Sequence, residues 1–292
     1  LVRLLDIATP PVRRAAAEAL GRIGAPRAAE PLLELADEPM DRALEHSLIY
    51  ALIEIGQPDA VSLTRLAKRP GALRVALMAL DQMEGVHLAP ADVLPSLQSR
   101  SPALRKTAEC ICDRHPEWGD ALAAHYASEL RAVKTAAQSQ ALASRLAKLA
   151  TAPAIQTELG NALADVSRGK AERLTVLAVM AAAPVNPAPD TWLDAIDATT
   201  GPLQPAVVQA LVSLRLAKPQ QERVATLLRR LGRSASLADR QRTLAYSGIP
   251  AGRFAPNRVE FDFLLGQLGT DQPFTQRSNA AKALAGAVLS EA

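Results

Sequence analysis

Aromatic side chains are scarce in this 292-residue sequence: two Trp, three Tyr and four Phe, 3% of the chain. Strand-rich folds fill their interiors with β-branched and aromatic residues, so this poverty argues against them. It also leaves few platforms on which unpaired bases could stack. Cysteine is equally sparse. Cys110 and Cys112 are the only two; they stand two residues apart and are poorly placed for a disulfide framework, so the redox compartment is not readable. No run approaches the ~20 apolar residues that a membrane span needs. No signal peptide is visible. The chain opens on Leu1, in mid-pattern and without an initiator Met. The expectation is a fragment or an excised domain, in which missing targeting signals mean little.

Charge of one sign is lacking too. Lys and Arg number 33 and Asp and Glu 30, a net of +3 that names no partner. The distribution is less even. Residues 1–120 hold 14 basic and 17 acidic groups, and residues 215–292 hold 12 and 6. The excess is densest from Arg215 to Arg258, with 10 basic and 2 acidic. What the chain does have is 49% hydrophobic residues, mostly Ala and Leu. Both favour helices, and their small or flexible side chains allow helices to pack closely.

The fold follows from an internal repeat. In Pro11 to Gly24 the apolar positions are Val12, Ala15, Ala16, Ala19, Leu20 and Ile23. Steps of three and one place them on one helical stripe. Pro11 suits the first turn, and Gly24 suits the left-handed residue after the last. The stripe recurs 32 residues on as Leu44, Ser47, Leu48, Ala51, Leu52 and Ile55, followed by Gly56. It recurs again as Ala72, Val75, Ala76, Ala79, Leu80 and Met83, then as Leu104, Thr107, Ala108, Ile111, Cys112 and His115. Shorter helical stretches lie between, at 28–36, 59–67 and 91–97. A single helical pair cannot cover its own apolar face, so neighbours must stack. The expected fold is all-α, a right-handed α-α superhelix of the HEAT-like solenoid type. The signatures of tetratricopeptide and ankyrin repeats are absent.

Residues 1–120 form the regular part of this array. Residues 121–292 read as degenerate helical repeats continuing the same solenoid, with helices expected at 121–150, 154–166, 171–182, 191–198, 206–216, 220–231 and 279–289. Pro184, Pro187 and Pro189 mark a break, and 248–256 a second irregular stretch. A domain boundary near 120 or 185 is the alternative.

Few residues invite chemistry. Cys110-x-Cys112-x-x-His115 has no second metal-binding half, and Cys112 lies on the buried stripe, so a packed thiol is the plainer reading. Trp118 reads as a plug on the core. Helix 41–55 is the most unusual. Beside its core stripe it carries Ile49, Tyr50 and Ile53 together with Arg42, Glu45 and His46. Such a helix, apolar nearly all round, is either buried on both sides or carries a docking patch for another domain. Both readings stand at this point. No carboxylate pair or nucleophile–base pair is apparent, so no catalytic, metal or cofactor residue is expected in this segment. Arg215–Arg258 could track phosphates. Arginines on solvated helix faces are the default, and protein partners rank above nucleic acid.

The stretches DRALEHSLIYALIEIG (41–56), ALMALDQMEG (76–85) and LRKTAECICDRHPEWGD (104–120) resemble the HEAT region of large multidomain bacterial membrane-bound dehydrogenases. In that family a dehydrogenase-like β-propeller precedes the repeats and a c-type cytochrome domain follows them. The resemblance implies an exported, periplasmic parent protein whose haem lies outside this segment. It implies a role for this segment as a scaffold linking propeller and cytochrome, within a parent that is an oxidoreductase. Its partners would be protein domains of the same parent chain. The alternative is a free-standing HEAT-like protein that binds nucleic acid through its basic C-terminal half. A third comparison, with HEAT-like bilin lyases, rests on repeat style alone.

Overall fold

A computed structural model describes residues 1–7 and 9–288. It is all-α and HEAT-like: helical pairs follow one another along the chain, and the one strand-type pairing among the described residues is an isolated bridge between Phe254 and Ala287. None of these helices is long and apolar enough to cross a membrane. The chain divides into two compact units, Leu1–Pro116 and Glu117–Ala292.

In the first unit the helices are α1 (Val2–Ile7), α2 (Pro10–Ile23), α3 (Ala29–Leu35), α4 (Arg42–Ile55), α5 (Leu63–Leu66), α6 (Pro70–Gln82), α7 (Pro90–Val93) and α8 (Pro102–Cys112). The longer helices α2, α4, α6 and α8 carry the four stripes and pack each on the next. Their boundaries follow local chemistry. Prolines open α2, α6 and α8, where a missing N–H costs nothing. Asp41 caps α4 by accepting from the Leu44 N–H at 2.7 Å. Gly24 and Gly56 end α2 and α4 at φ values of 66° and 62°, in the left-handed region that L side chains disfavour. The shorter helices are interrupted. A 3-10 turn precedes α5, and a 3-10 stretch containing Pro95 follows α7.

Successive repeats are also stitched by polar contacts. Asp37 accepts from Arg69 Nε at 2.6 Å and from the Ala72 N–H at 3.1 Å. The same guanidinium reaches Glu30 at 3.0 Å and the Leu33 carbonyl at 3.1 Å. One arginine thus satisfies three acceptors on the preceding repeat, while the aspartate caps an otherwise unpaired donor of α6.

The second unit holds α9 (Gly119–Ala132), α10 (Ala136–Leu149), α11 (Pro153–Ala164), α12 (Lys170–Ala182), α13 (Asp190–Asp197), α14 (Gln204–Ser213), α15 (Lys218–Arg233), α16 (Asp239–Ser247), α17 (Arg258–Gly266) and α18 (Phe274–Ala285). The even-numbered helices pack in sequence from α10 to α18. Their first residues lie 34, 34, 35 and 35 apart, so a period persists where the residue pattern shows none. Both tryptophans belong to this unit and both are buried. Trp192 Nε1 donates to the Gln156 carbonyl at 2.9 Å, which ties α13 to α11.

Several expectations need correcting. The helix expected at 121–150 is two helices. Thr135 and Gln138 form a reciprocal capping box across the break: Thr135 Oγ1 accepts from the Gln138 N–H at 3.2 Å, and Gln138 Oε1 accepts from the Thr135 N–H at 3.1 Å. α16 and α17 were not expected at all. α18 begins five residues before the expected 279, and residue 289 of that expected helix lies outside the described residues. In α2 the buried face is Ala16, Ala17, Leu20 and Gly21, whereas Val12 and Ile23 are exposed. The small side chain of Ala17 and the bare backbone of Gly21 admit α4, and this turns the packed face away from the apolar stripe. α8 ends at Cys112, so His115 lies beyond the helix.

Candidate functional site

The site grows from α4. One face of this helix is sealed: Leu44, Ser47, Leu48, Ala51, Leu52 and Ile55 are buried. The opposite face is open. Arg42, His46 and Tyr50 are exposed, Tyr50 by 50%, while Glu45, Ile49 and Ile53 are half-buried. The helix is therefore not covered on both sides. The rings of His46 and Tyr50, one turn apart, lie nearly parallel, with centroids 6.4 Å apart.

The six expected residues divide between two concavities. Arg42, Glu45, His46 and Ile49 form one wall of a groove of about 450 Å³. Arg74 and Met78 of α6, Ala103, Lys106, Thr107 and Cys110 of α8, and Arg114 just beyond α8 also line it. His46 and Tyr50 also line a smaller hollow of about 230 Å³ with Glu18, Arg22, Ser47 and Glu54. There Ser47 Oγ donates to Glu18 Oε1 at 3.0 Å. Ile53 lines neither.

The far wall of the groove was missed, yet a signal for it exists. Shifting the sequence by 32, 28 and 32 residues, as the stripes require, aligns Arg14, His46, Arg74 and Lys106. These four occupy one position in four successive repeats. The next turn of the same face carries Glu18, Tyr50, Met78 and Cys110. Reading the stripes alone passes over the column of residues beside them.

The charges in the groove are unevenly compensated. Glu45 forms an ion pair with Arg74. Asp81, with a side chain only 2% exposed, accepts from Arg114 Nε at 2.9 Å and shares a 2.7 Å hydrogen bond with His115 Nε2. No ion pair holds Arg42 or Lys106 among the described residues. Glu45 is the one carboxylate lining the groove. Cys110 is exposed there and Cys112 is buried on the other side of the helix. No three His, Cys, Asp or Glu side chains gather as a metal site among the described residues.

The basic stretch of the second unit has a different character. Glu260, at the start of α17, accepts from Arg229 Nε at 2.9 Å, from Arg233 Nε at 2.7 Å and from the Asn257 N–H at 2.9 Å. Burial alone would raise its pKa. The hydrogen bonds from Arg229, Arg233 and Asn257 outweigh burial and hold it down to about 2. Beside it, burial pushes Tyr246 up to about 12, reinforced by the Glu260 charge and opposed by Arg242, Arg233 and Arg229. Arg230 pairs with Asp197 at 2.7 Å and Arg223 with Asp194 at 2.7 Å. Arg242 pairs with Asp239 at 3.0 Å and Arg258 with Asp262 at 2.8 Å. Most of the cations that gave this stretch its charge are thus engaged by carboxylates, several from neighbouring repeats.

Comparison with known proteins agrees with this geometry over part of the chain. No characterised protein matches the sequence. A protein-family model for HEAT repeats matches residues 1–53, which span α1 to α3 and most of α4, so that the segment bearing the candidate patch is a HEAT-repeat region.

Proposed function

We propose that this chain is a non-catalytic scaffold that docks a protein partner on the open face of α4. The exposure of Tyr50 and Arg42 beside half-buried Ile49 and Ile53 carries this reading, because apolar surface rimmed by charge is typical of interfaces. HEAT repeats generally serve as non-enzymatic interaction scaffolds, and residues 42–53 lie inside the segment that resembles one, which supports this reading. The resemblance of residues 41–56, 76–85 and 104–120 to the dehydrogenase–cytochrome family supports a finer reading. In it, the partner is a propeller or c-type cytochrome domain of the same exported parent protein, and any haem belongs to that domain.

The test uses the full parent protein. Ile49→Ala and Ile53→Ala should weaken docking of the flanking domain by about 1–2 kcal/mol each, the worth of a half-buried aliphatic side chain. Thermal stability of the repeats should fall by clearly less. Equal loss of docking and stability would mean that these residues only pack. Nucleic acid is disfavoured because Arg229, Arg230 and Arg233 are already paired with Glu260 and Asp197.

A further inference from the structure

We infer that the groove across α4, α6 and α8 binds an extended acidic peptide segment in which carboxylates recur every third residue around an aliphatic side chain. This rests on the scaffold reading above and names the chemistry of the partner.

Charge is the first argument. Residues 1–116 hold 14 basic and 15 acidic groups, so the unit is slightly negative. The groove runs against that balance, with Arg42, Arg74, Lys106 and Arg114 facing Glu45 alone. Arg74 and Arg114 are held by Glu45 and Asp81, which leaves Arg42 and Lys106 uncompensated. Both are exposed, so their charge is offered to whatever enters.

Spacing is the second. The aligned column His46, Arg74 and Lys106 steps once per repeat. Packed helices lie roughly 8–10 Å apart. In the extended polyproline-II form three residues make one turn and advance about 9 Å, so carboxylates at every third position share a face and would meet successive rungs.

The floor is the third. Ile49, Met78 and Ala103 are aliphatic, and Met78 can adapt its shape to the side chain it receives. No aromatic ring other than the His46 imidazole lines the groove, so nucleotide bases would find little to stack on.

The test titrates the 292-residue chain against a fluorescein-labelled peptide of about ten residues, glutamate at every third position and leucine between, followed by anisotropy. Binding should weaken as salt rises. The double variant Arg42→Glu, Lys106→Glu should lose affinity by about tenfold or more with an unchanged circular dichroism spectrum, since both side chains are exposed and unpaired. Cys110 supplies the location: saturating peptide should slow its alkylation by N-ethylmaleimide, while buried Cys112 stays silent. No binding at low salt, binding indifferent to the double reversal, or unprotected Cys110 would each overturn the inference. So would an oligothymidylate that competes better than the peptide. If the peptide fails while Ile49→Ala still loosens domain docking, the scaffold reading survives and this one falls. If the peptide binds while docking ignores the α4 variants, the groove stands and the partner-domain reading falls.

Discussion

At the scale of single residues, Gly21 sets how closely α2 and α4 approach. A Cβ there would lie 2.8 Å from the Ala51 Cα and 2.5 Å from Glu54 Oε2, an oxygen that is buried without a hydrogen-bond partner. Helix propensity favours Gly21→Ala by about 1 kcal/mol. Overpacking costs about 1–3 kcal/mol, so the variant should be less stable in urea. Gly266 provides the contrast. It sits in the last turn of α17 with nothing within 4 Å of a Cβ, and Gly266→Ala should gain a few tenths to about 1 kcal/mol. If both variants shift stability in the same direction, the Gly21 contact does not govern the pair.

Glu260 poses a pH question at the same scale. Its folded pKa of about 2 lies below the model-compound value of 4.5, so the charged form is the one the fold favours. That stabilisation is present above about pH 4.5 and is lost as pH falls toward 2; the shift corresponds to on the order of 3 kcal/mol. Glu260→Gln should therefore be markedly less stable than the parent at pH 7. The gap should close on acidification, as read from denaturant midpoints at each pH.

At the scale of elements, the stripes of α4, α6 and α8 were legible because these helices bury small and aliphatic residues at helical spacing, whereas α2 buries Ala17 and Gly21 in place of Val12 and Ile23. The open face of α4 was legible as an oddity, with Ile49, Tyr50 and Ile53 where the first repeat has Ala17, Glu18 and Gly21. Its groove was not. Arg74 and Lys106 carry no apolar signal, and only repeat alignment brings them beside His46. α16 was hidden by its composition: DRQRTLAYS is mostly polar, and tertiary contacts of Thr243, Ala245, Tyr246 and Ser247 decide its fate. α17 was legible in principle, since Asn257 and Glu260 spell a capping box. The same holds for Thr135 and Gln138, overlooked within a long alanine-rich run that reads as one helix.

At the scale of the whole molecule, each repeat touches mainly its neighbours, and stability in such arrays is close to a sum over adjacent pairs. Damage should stay local. Amide hydrogen exchange in Glu260→Gln should accelerate in α15 to α18, while α2, α4 and α6 keep their protection. Uniform loss across both units would show one cooperative body instead. Cross-repeat arginines occur in both units: Arg69 joins α6 to the preceding repeat, and Arg229 with Arg233 joins α15 to α17.

The placement of the tryptophans has an optical consequence. Trp118 and Trp192 are both buried in the second unit, and Leu1–Pro116 contains no indole. Emission excited at the red edge of protein absorbance therefore comes from indoles of the second unit, whereas the far-ultraviolet signal sums the helices of both. An unfolding curve taken by fluorescence has no reporter within the part of the chain that bears the α4 groove, and superposing the two traces shows whether that part melts with the rest or apart from it.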